Sequence, residues 1–443
     1  MTQQPIHSPD FVEIRAKEKT YQGLLMPGTN NTIVILKLAS GYNIGIERKK
    51  ILDIKTLQLG GKKQKQSAVS AADQPQKKEY IQDNLPIISL LHTGGTISSK
   101  INYKTGGVSA KFTPEDMLKM FPALEDIANI RSRLISNMFS EDMRFHHYNV
   151  IAKEIQQEIA AGVQGIIITH GTDTLAYTAA ALRFIFEKLP VPVLLVGSQR
   201  SSDRGSTDAS VNLMCAAQFI AKSDFADIGI CMHTNSSDET CDILPATKTR
   251  KMHTSRRDAF KAVNAVPYAR VDTAGNIQYL NKIYHKKDIH QKIVPWLFQE
   301  QLKIGMLKIH PHMYAQEFEQ YLNFDGLILE GTGLGHAPIN VIDDATKEHK
   351  KILDAIKKIA TKIPVVMTPQ PLYGRVNMNV YSTGRTLKEL GVCGDYADML
   401  PETAFIKLAW LLSHYPKEQA RSLMGENLRG EITKRSLQHD FVA

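Results

Sequence analysis

From about residue 84 onward, apolar runs of strand length alternate with longer helical patterns, and this rhythm restricts the fold more than any other feature of the chain. The strand-like runs are 85–91, 165–169, 191–196 and 228–232, with 326–329 and 365–367 further on. Helical spacing marks 114–120, 150–161, 174–189, 345–359 and 402–413. Parallel strands need a long crossover, usually a helix, so such alternation implies parallel sheets with helices on both faces. A stretch near 267–300 interrupts the rhythm and separates two α/β units.

The first sixty residues follow another rule. Short runs rich in β-branched and aromatic residues, at 11–14, 21–26, 32–38, 42–46 and 51–57, are separated by turn formers such as Pro27-Gly28 and Ser40-Gly41. They predict a small all-β, barrel-like domain over 1–60. Residues 61–83, with Lys62-Lys63-Gln64-Lys65, carry little apolar surface to bury and read as a flexible linker. The predicted α/β domains are then 84–285 and 286–443. With 43% hydrophobic and 22% charged residues, the chain is of ordinary globular composition, which excludes disordered and collagen-like classes. Four cysteines with no C-x-x-C pair make neither a disulfide framework nor a cysteine zinc site. The opening residues lack the basic and apolar regions of a secretory signal, and no apolar run reaches the ~18 residues that span a bilayer. A cytoplasmic setting is therefore expected. The net charge of +9 favours polyanions without requiring one.

In open parallel sheets, ligands bind beyond the carboxyl ends of the strands. Three of those ends are dense in glycine, threonine and acid: His92-Thr93-Gly94-Gly95-Thr96, Thr169-His170-Gly171-Thr172-Asp173-Thr174 and Glu330-Gly331-Thr332-Gly333-Leu334-Gly335. Glycine lets backbone N–H groups approach a ligand, and a threonine hydroxyl becomes a nucleophile once a base takes its proton. Taken alone, Asp173 also suits a helix cap. No lysine follows the first loop as a Walker A motif requires, the third is not G-x-G-x-x-G, and no G-x-S-x-G elbow is present. His146, His147, His310 and His312 lack zinc-site spacing.

The loops Thr93-Gly94-Gly95-Thr96-Ile97 and Thr169 to Thr174 resemble the signature loops of the L-asparaginase/glutaminase family. Lys251-Met252-His253-Thr254-Ser255 with Asp258-Ala259-Phe260 resembles its catalytic-lysine segment, and Ser140-Glu141-Asp142-Met143 its substrate-carboxylate loop. The β module, the segment from Gly374 to Arg385 and Asp398-Met399-Leu400-Pro401-Glu402-Thr403-Ala404 carry the likeness to the branch of archaeal-type glutamyl-tRNA(Gln) amidotransferase D subunits. Plain asparaginases usually lack all three.

The resemblance implies a glutaminase that releases ammonia through an acyl–threonine intermediate. It implies a partner subunit of the E type that uses ATP and Mg to convert Glu-tRNA(Gln) to Gln-tRNA(Gln), no cofactor in this chain, and a homodimeric core. By the same likeness Thr93, Thr172, Asp173 and Lys251 are catalytic. Tyr103 stands at the place of an activating tyrosine in the loop 100–107, and Ser140 would hold the substrate α-carboxylate. Asp173 would hold the α-amino group by a charge-assisted hydrogen bond. Glu141 departs from the glutamine common in plain asparaginases; a carboxylate there repels a substrate carboxylate, so it is not counted as a binding residue. The alternatives are a free-standing L-asparaginase and a non-enzymatic RNA- or protein-binding module. The basic segment around Lys434 and Arg435 suits either a partner contact or a cap on the fold.

Overall fold

In the first fifty-eight residues the side chains that alternate inward belong to short antiparallel strands, and one core collects them. The computed structural model describes residues 11–17, 19–25, 32–38, 43–58, 82–94, 99–101, 108–110, 121–201 and 207–437. Strands β1 (Phe11–Ala16), β2 (Thr20–Leu25), β3 (Ile33–Leu38), β4 (Asn43–Glu47) and β5 (Ile51–Gln58) form one sheet in the order β4-β3-β2-β1-β5. Every pairing in it is antiparallel. Val12, Ile14, Leu25, Val34, Leu36 and Ile46 fill its buried face, the period-2 pattern of a sheet with one wet side. The expected linker and the helical pattern at 114–120 fall, wholly or almost wholly, outside the described residues.

Nine further strands come next in the chain: β6 (Ile87–Gly94), β7 (Ser99–Ile101), β8 (Val108–Ala110), β9 (Asn129–Met138), β10 (Gly165–Thr169), β11 (Val193–Val196), β12 (Ile228–His233), β13 (Thr240–Pro245) and β14 (Thr249–Lys251). They are followed by β15 (Phe260–Ala262), β16 (Ala269–Asp272) and β17 (Ile277–Tyr279). The main sheet runs β17-β16-β13-β12-β11-β10-β6-β9. β9, β6, β10, β11 and β12 are parallel, as the strand–helix rhythm requires. Beyond β12 the sheet turns antiparallel through β13, β16 and β17, an extension the sequence reading did not anticipate. Short turns join β12 to β13 and β16 to β17, while the β14–β15 hairpin lies between β13 and β16; none of these connections carries the crossover helix that parallel neighbours usually need.

Both faces of the parallel strands are covered. Leu91, Ile166, Ile168, Val193 and Leu195 pack under the helices Phe145–Ala160 and Leu175–Ile185. Leu90, Ile167, Leu194 and Val196 point the other way, onto the helix Ala209–Lys222. That helix is an Ala-rich run with eight buried positions, Cys215 and Phe219 among them. The second unit has a four-stranded parallel sheet, β18 (Ile304–Lys308), β19 (Gly326–Gly331), β20 (Val365–Pro369) and β21 (Val392–Cys393). Its helix Pro401–His414 contributes Ala404, Leu408 and Trp410 to the same core as Phe184, so the two units share apolar contact. Among the described residues no helix is long and apolar enough to cross a membrane.

Candidate active site

The loop after β10 is held from below by a histidine that cannot readily charge. His170 is fully buried, and burial pulls its pKa down to about 4. Its Nδ1–H donates to the Gly171 carbonyl at 2.7 Å, so neutral Nε2 accepts from the Thr178 hydroxyl at 2.8 Å. His92 does the same for the adjacent strand. It bridges Thr169 Oγ1 (2.9 Å) and Ser132 Oγ (2.8 Å), tying β6, β10 and β9 together, and burial also lowers its pKa to about 4.

Close backbone approaches build the rest of the cradle. A Cβ on Gly171 would lie 2.8 Å from Ser140 Cβ, so only glycine lets the short helical turn Ser140–Asp142 seat against the loop. Thr174 Oγ1 donates to the Ser140 carbonyl at 2.6 Å and locks that contact. Gly197, after β11, presses on the Thr172 methyl in the same way: a Cβ added there would fall 2.8 Å from Thr172 Cγ2.

Three of the sequence-predicted residues meet directly. Lys251 Nζ donates to Thr172 Oγ1 at 2.9 Å and to Asp173 Oδ1 at 2.7 Å. The lysine side chain is 16% exposed and that of Asp173 is 66% exposed, so the pair opens to solvent on the acid's side. Lys251 ends β14, and its backbone is paired with Phe260 of β15. Ser140 is buried beside this group through Gly171 and Thr174. Thr93, next to last in the neighbouring strand β6, is 1% exposed, its hydroxyl donating to the Thr169 carbonyl at 2.9 Å. Glu141 is exposed. Tyr103 lies outside the described residues.

Sequence reasoning missed the residues that hold the loop after β11. Asp208 is buried and accepts from Ser198 Oγ (2.9 Å), Gln199 N (3.0 Å) and Arg200 N (3.1 Å). One turn on, Asn212 Nδ2 donates to the Gly197 carbonyl at 3.0 Å. An acid directly before an apolar helix was the available signal; it reads as an ordinary cap, whereas here it grips the preceding loop. Beyond Lys251 the chain lines a cleft of about 320 Å³ with Ser255, Arg256, Arg257 and Asp258, faced by Arg200 and Ser236. An ammonium-hydroxyl-carboxylate cluster, buried at the hydroxyl and open to solvent at the acid, beside glycine-rich backbone is suited to proton transfer at a hydroxyl during acyl transfer.

Comparison with known proteins gives this cluster its context. Residues 87–285 match the family model "Asparaginase, N-terminal", residues 303–424 match "Glutaminase/Asparaginase C-terminal domain", and residues 6–57 match "GatD N-terminal domain". Among solved structures, the thermostable L-asparaginase from Thermococcus kodakarensis superposes with a TM-score of 0.68 at 30% identity, covering 78% of this chain and 99% of that one. L-asparaginase I from Vibrio cholerae gives 0.66 at 28%, covering 79% and 99%. The D subunit of glutamyl-tRNA(Gln) amidotransferase from Pyrococcus furiosus is 41% identical over 453 residues, covering 100% of this chain and 98% of the relative. Its counterpart from Thermococcus kodakarensis is 43% identical over 422 residues, covering 94% and 91%. With full-length similarity that includes the β module, the chain belongs to the family of glutamyl-tRNA(Gln) amidotransferase D subunits.

Proposed function

We propose that this chain is the glutaminase subunit of a tRNA-dependent amidotransferase, hydrolysing glutamine to glutamate and ammonia through an acyl–threonine intermediate. The observation that carries the chemistry is Lys251 Nζ, 2.9 Å from the Thr172 hydroxyl and 2.7 Å from the Asp173 carboxylate. In the resting arrangement the ammonium donates to both. Once it loses a proton, the amine accepts the hydroxyl proton with no movement of heavy atoms. Thr93 and Thr172 are the two candidate nucleophiles, on neighbouring strand ends, with Tyr103 assigned to activate Thr93. Attack on the side-chain carbonyl makes a tetrahedral oxyanion, for which backbone N–H groups of the glycine-rich loops are the donors. Ammonia leaves, and water then cleaves the acyl ester. Ser140 takes the α-carboxylate and Asp173 the α-amino group, so both ends of the substrate are fixed by charge and hydrogen bonding.

The ammonia passes to a partner subunit of the E type, which uses ATP and Mg to amidate Glu-tRNA(Gln); this chain holds no cofactor of its own and works as a homodimeric core in the cytoplasm. Support comes from the β module over residues 6–57, which the asparaginase-like portion leaves unaccounted for, and from relatives that match along the whole length. The likeness to free L-asparaginases covers only 78–79% of the chain. The experiment measures ammonia from glutamine and from asparagine, with and without partner and Glu-tRNA(Gln). Glutamine turnover that rises with partner and charged tRNA is expected. Partner-independent turnover favouring asparagine would move the chain to the asparaginase reading.

A further inference from the structure

The strand that presents Lys251 belongs to a hairpin of three residues on each side, β14 and β15. An isolated two-stranded hairpin is marginal in water, so something else must fix its register. Thr247, Lys248 and Arg250, at the hairpin's start, are each tied to the other α/β unit. Thr403 Oγ1 donates to the Thr247 carbonyl at 2.9 Å. Lys248 Nζ meets Asp398 Oδ1 at 2.9 Å, both side chains buried. Arg250 Nε meets Glu402 Oε1 at 3.2 Å. Side chains alternate along an extended strand, so Lys248 and Arg250 face this anchor while Lys251, between the anchor and the loops, faces Thr172. Two residues past the return strand, Asn264 adopts φ +53°, donates to the Asp398 carbonyl at 3.2 Å and accepts from Gly374 N at 3.0 Å.

Asp398 is itself gripped from behind. Thr433 N donates to its Oδ1 at 3.0 Å and Thr433 Oγ1 to its Oδ2 at 2.5 Å. Arg375 donates to the Thr433 carbonyl at 3.4 Å and to Thr433 Oγ1 at 3.3 Å. The segment from Asp398 to Thr403 and the C-terminal stretch around Thr433 thus converge on one carboxylate directly under the lysine strand.

We propose that Asp398, oriented by Thr433, is a positioning residue: it fixes the strand that holds Lys251 against Thr172 and so sets the geometry of proton transfer. The inference rests on Lys251 moving the proton in the proposed reaction. Misplacing a reacting group by about 1 Å can cost about a hundredfold in rate, so partial loosening is felt in turnover before it is felt in substrate binding. Asp398→Asn would leave the Lys248 ammonium buried without its counter-ion and threatens folding, which makes Thr433→Val the gentler variant.

The test uses the full chain with its partner subunit. Thr433→Val is expected to lower kcat for glutamine about tenfold, with KM within about twofold, and Thr433→Ser to restore kcat. Competitive acylation with acetic anhydride, read by mass spectrometry at Lys251, is expected to differ about threefold or more between Thr433→Val and the parent, and to return in Thr433→Ser. A folded Thr433→Val protein with parental kcat and parental acylation at Lys251 would overturn the positioning role. A parent that releases no ammonia from glutamine would sink the glutaminase reading, and the acylation comparison would still decide the clamp.

Discussion

Replacing Lys251 separates the effect of its charge from the proposed proton transfer, because the two effects differ in size. The ion pair with Asp173 is half open: the acid's side chain is 66% exposed against 16% for the lysine. An exposed pair of this kind contributes about 0–1 kcal/mol to folding, so Lys251→Ala should change the denaturation midpoint little. The contact with Thr172 Oγ1 at 2.9 Å is another matter. Losing a positioned acid–base group costs about 10²–10⁴ in turnover, or about 3–5 kcal/mol of barrier. Lys251→Arg keeps the cation beside Asp173 but cannot act as a base, since a guanidinium does not deprotonate in proteins. Ammonia release from glutamine, coupled to glutamate dehydrogenase in saturating substrate, should therefore fall at least ~100-fold in Lys251→Ala and Lys251→Arg alike. If Lys251→Arg retains more than about a fifth of parental kcat, the lysine serves as a fixed charge and the proton-transfer assignment is wrong.

Two further outcomes follow from the site's supports. His92 and His170 are held neutral by burial, with folded pKa values near 4 against an ordinary 6.5. A histidine whose folded pKa is depressed leaves the unfolded chain binding the extra proton, so its contribution is intact above pH 6.5 and drains away as the pH falls toward 4. Each shift corresponds to roughly 3 kcal/mol over that window, which urea midpoints measured between those limits would register; a flat profile there would contradict it. Gly94 has φ +107°, and an added Cβ would fall 2.5 Å from the Met138 carbonyl oxygen. Gly94→Ala should destabilise the protein by about 2 kcal/mol or more and lower turnover through Thr93, next to it; unchanged Tm and kcat would show that the β6–β9 contact relaxes freely.

Much of the scaffold was legible because it obeys short-range rules. The strand 165–169 and the helix that follows it could be read from apolar runs and from turn residues, and so could the five strands of the β module. β9 escaped, since Asn129–Met138 is an edge strand with polar and half-exposed side chains. The antiparallel strands after β12 escaped too, because their pairing depends on where the sheet has room rather than on any local pattern.

For the candidate site, Thr93, Thr172, Asp173, Ser140 and Lys251 were picked out in the linear chain through glycine-threonine spacing and family likeness. Residue types are local, and the chemistry they permit is fixed the moment they are written. Their union was not. Lys251 stands 79 residues from Thr172 and reaches it only because a short hairpin is clamped by Lys248 and Asn264 to Asp398, about 150 and 134 residues further along. Contacts across such separations are selected by burial of the whole core and by the need to pair each buried charge, and no window of sequence contains that information.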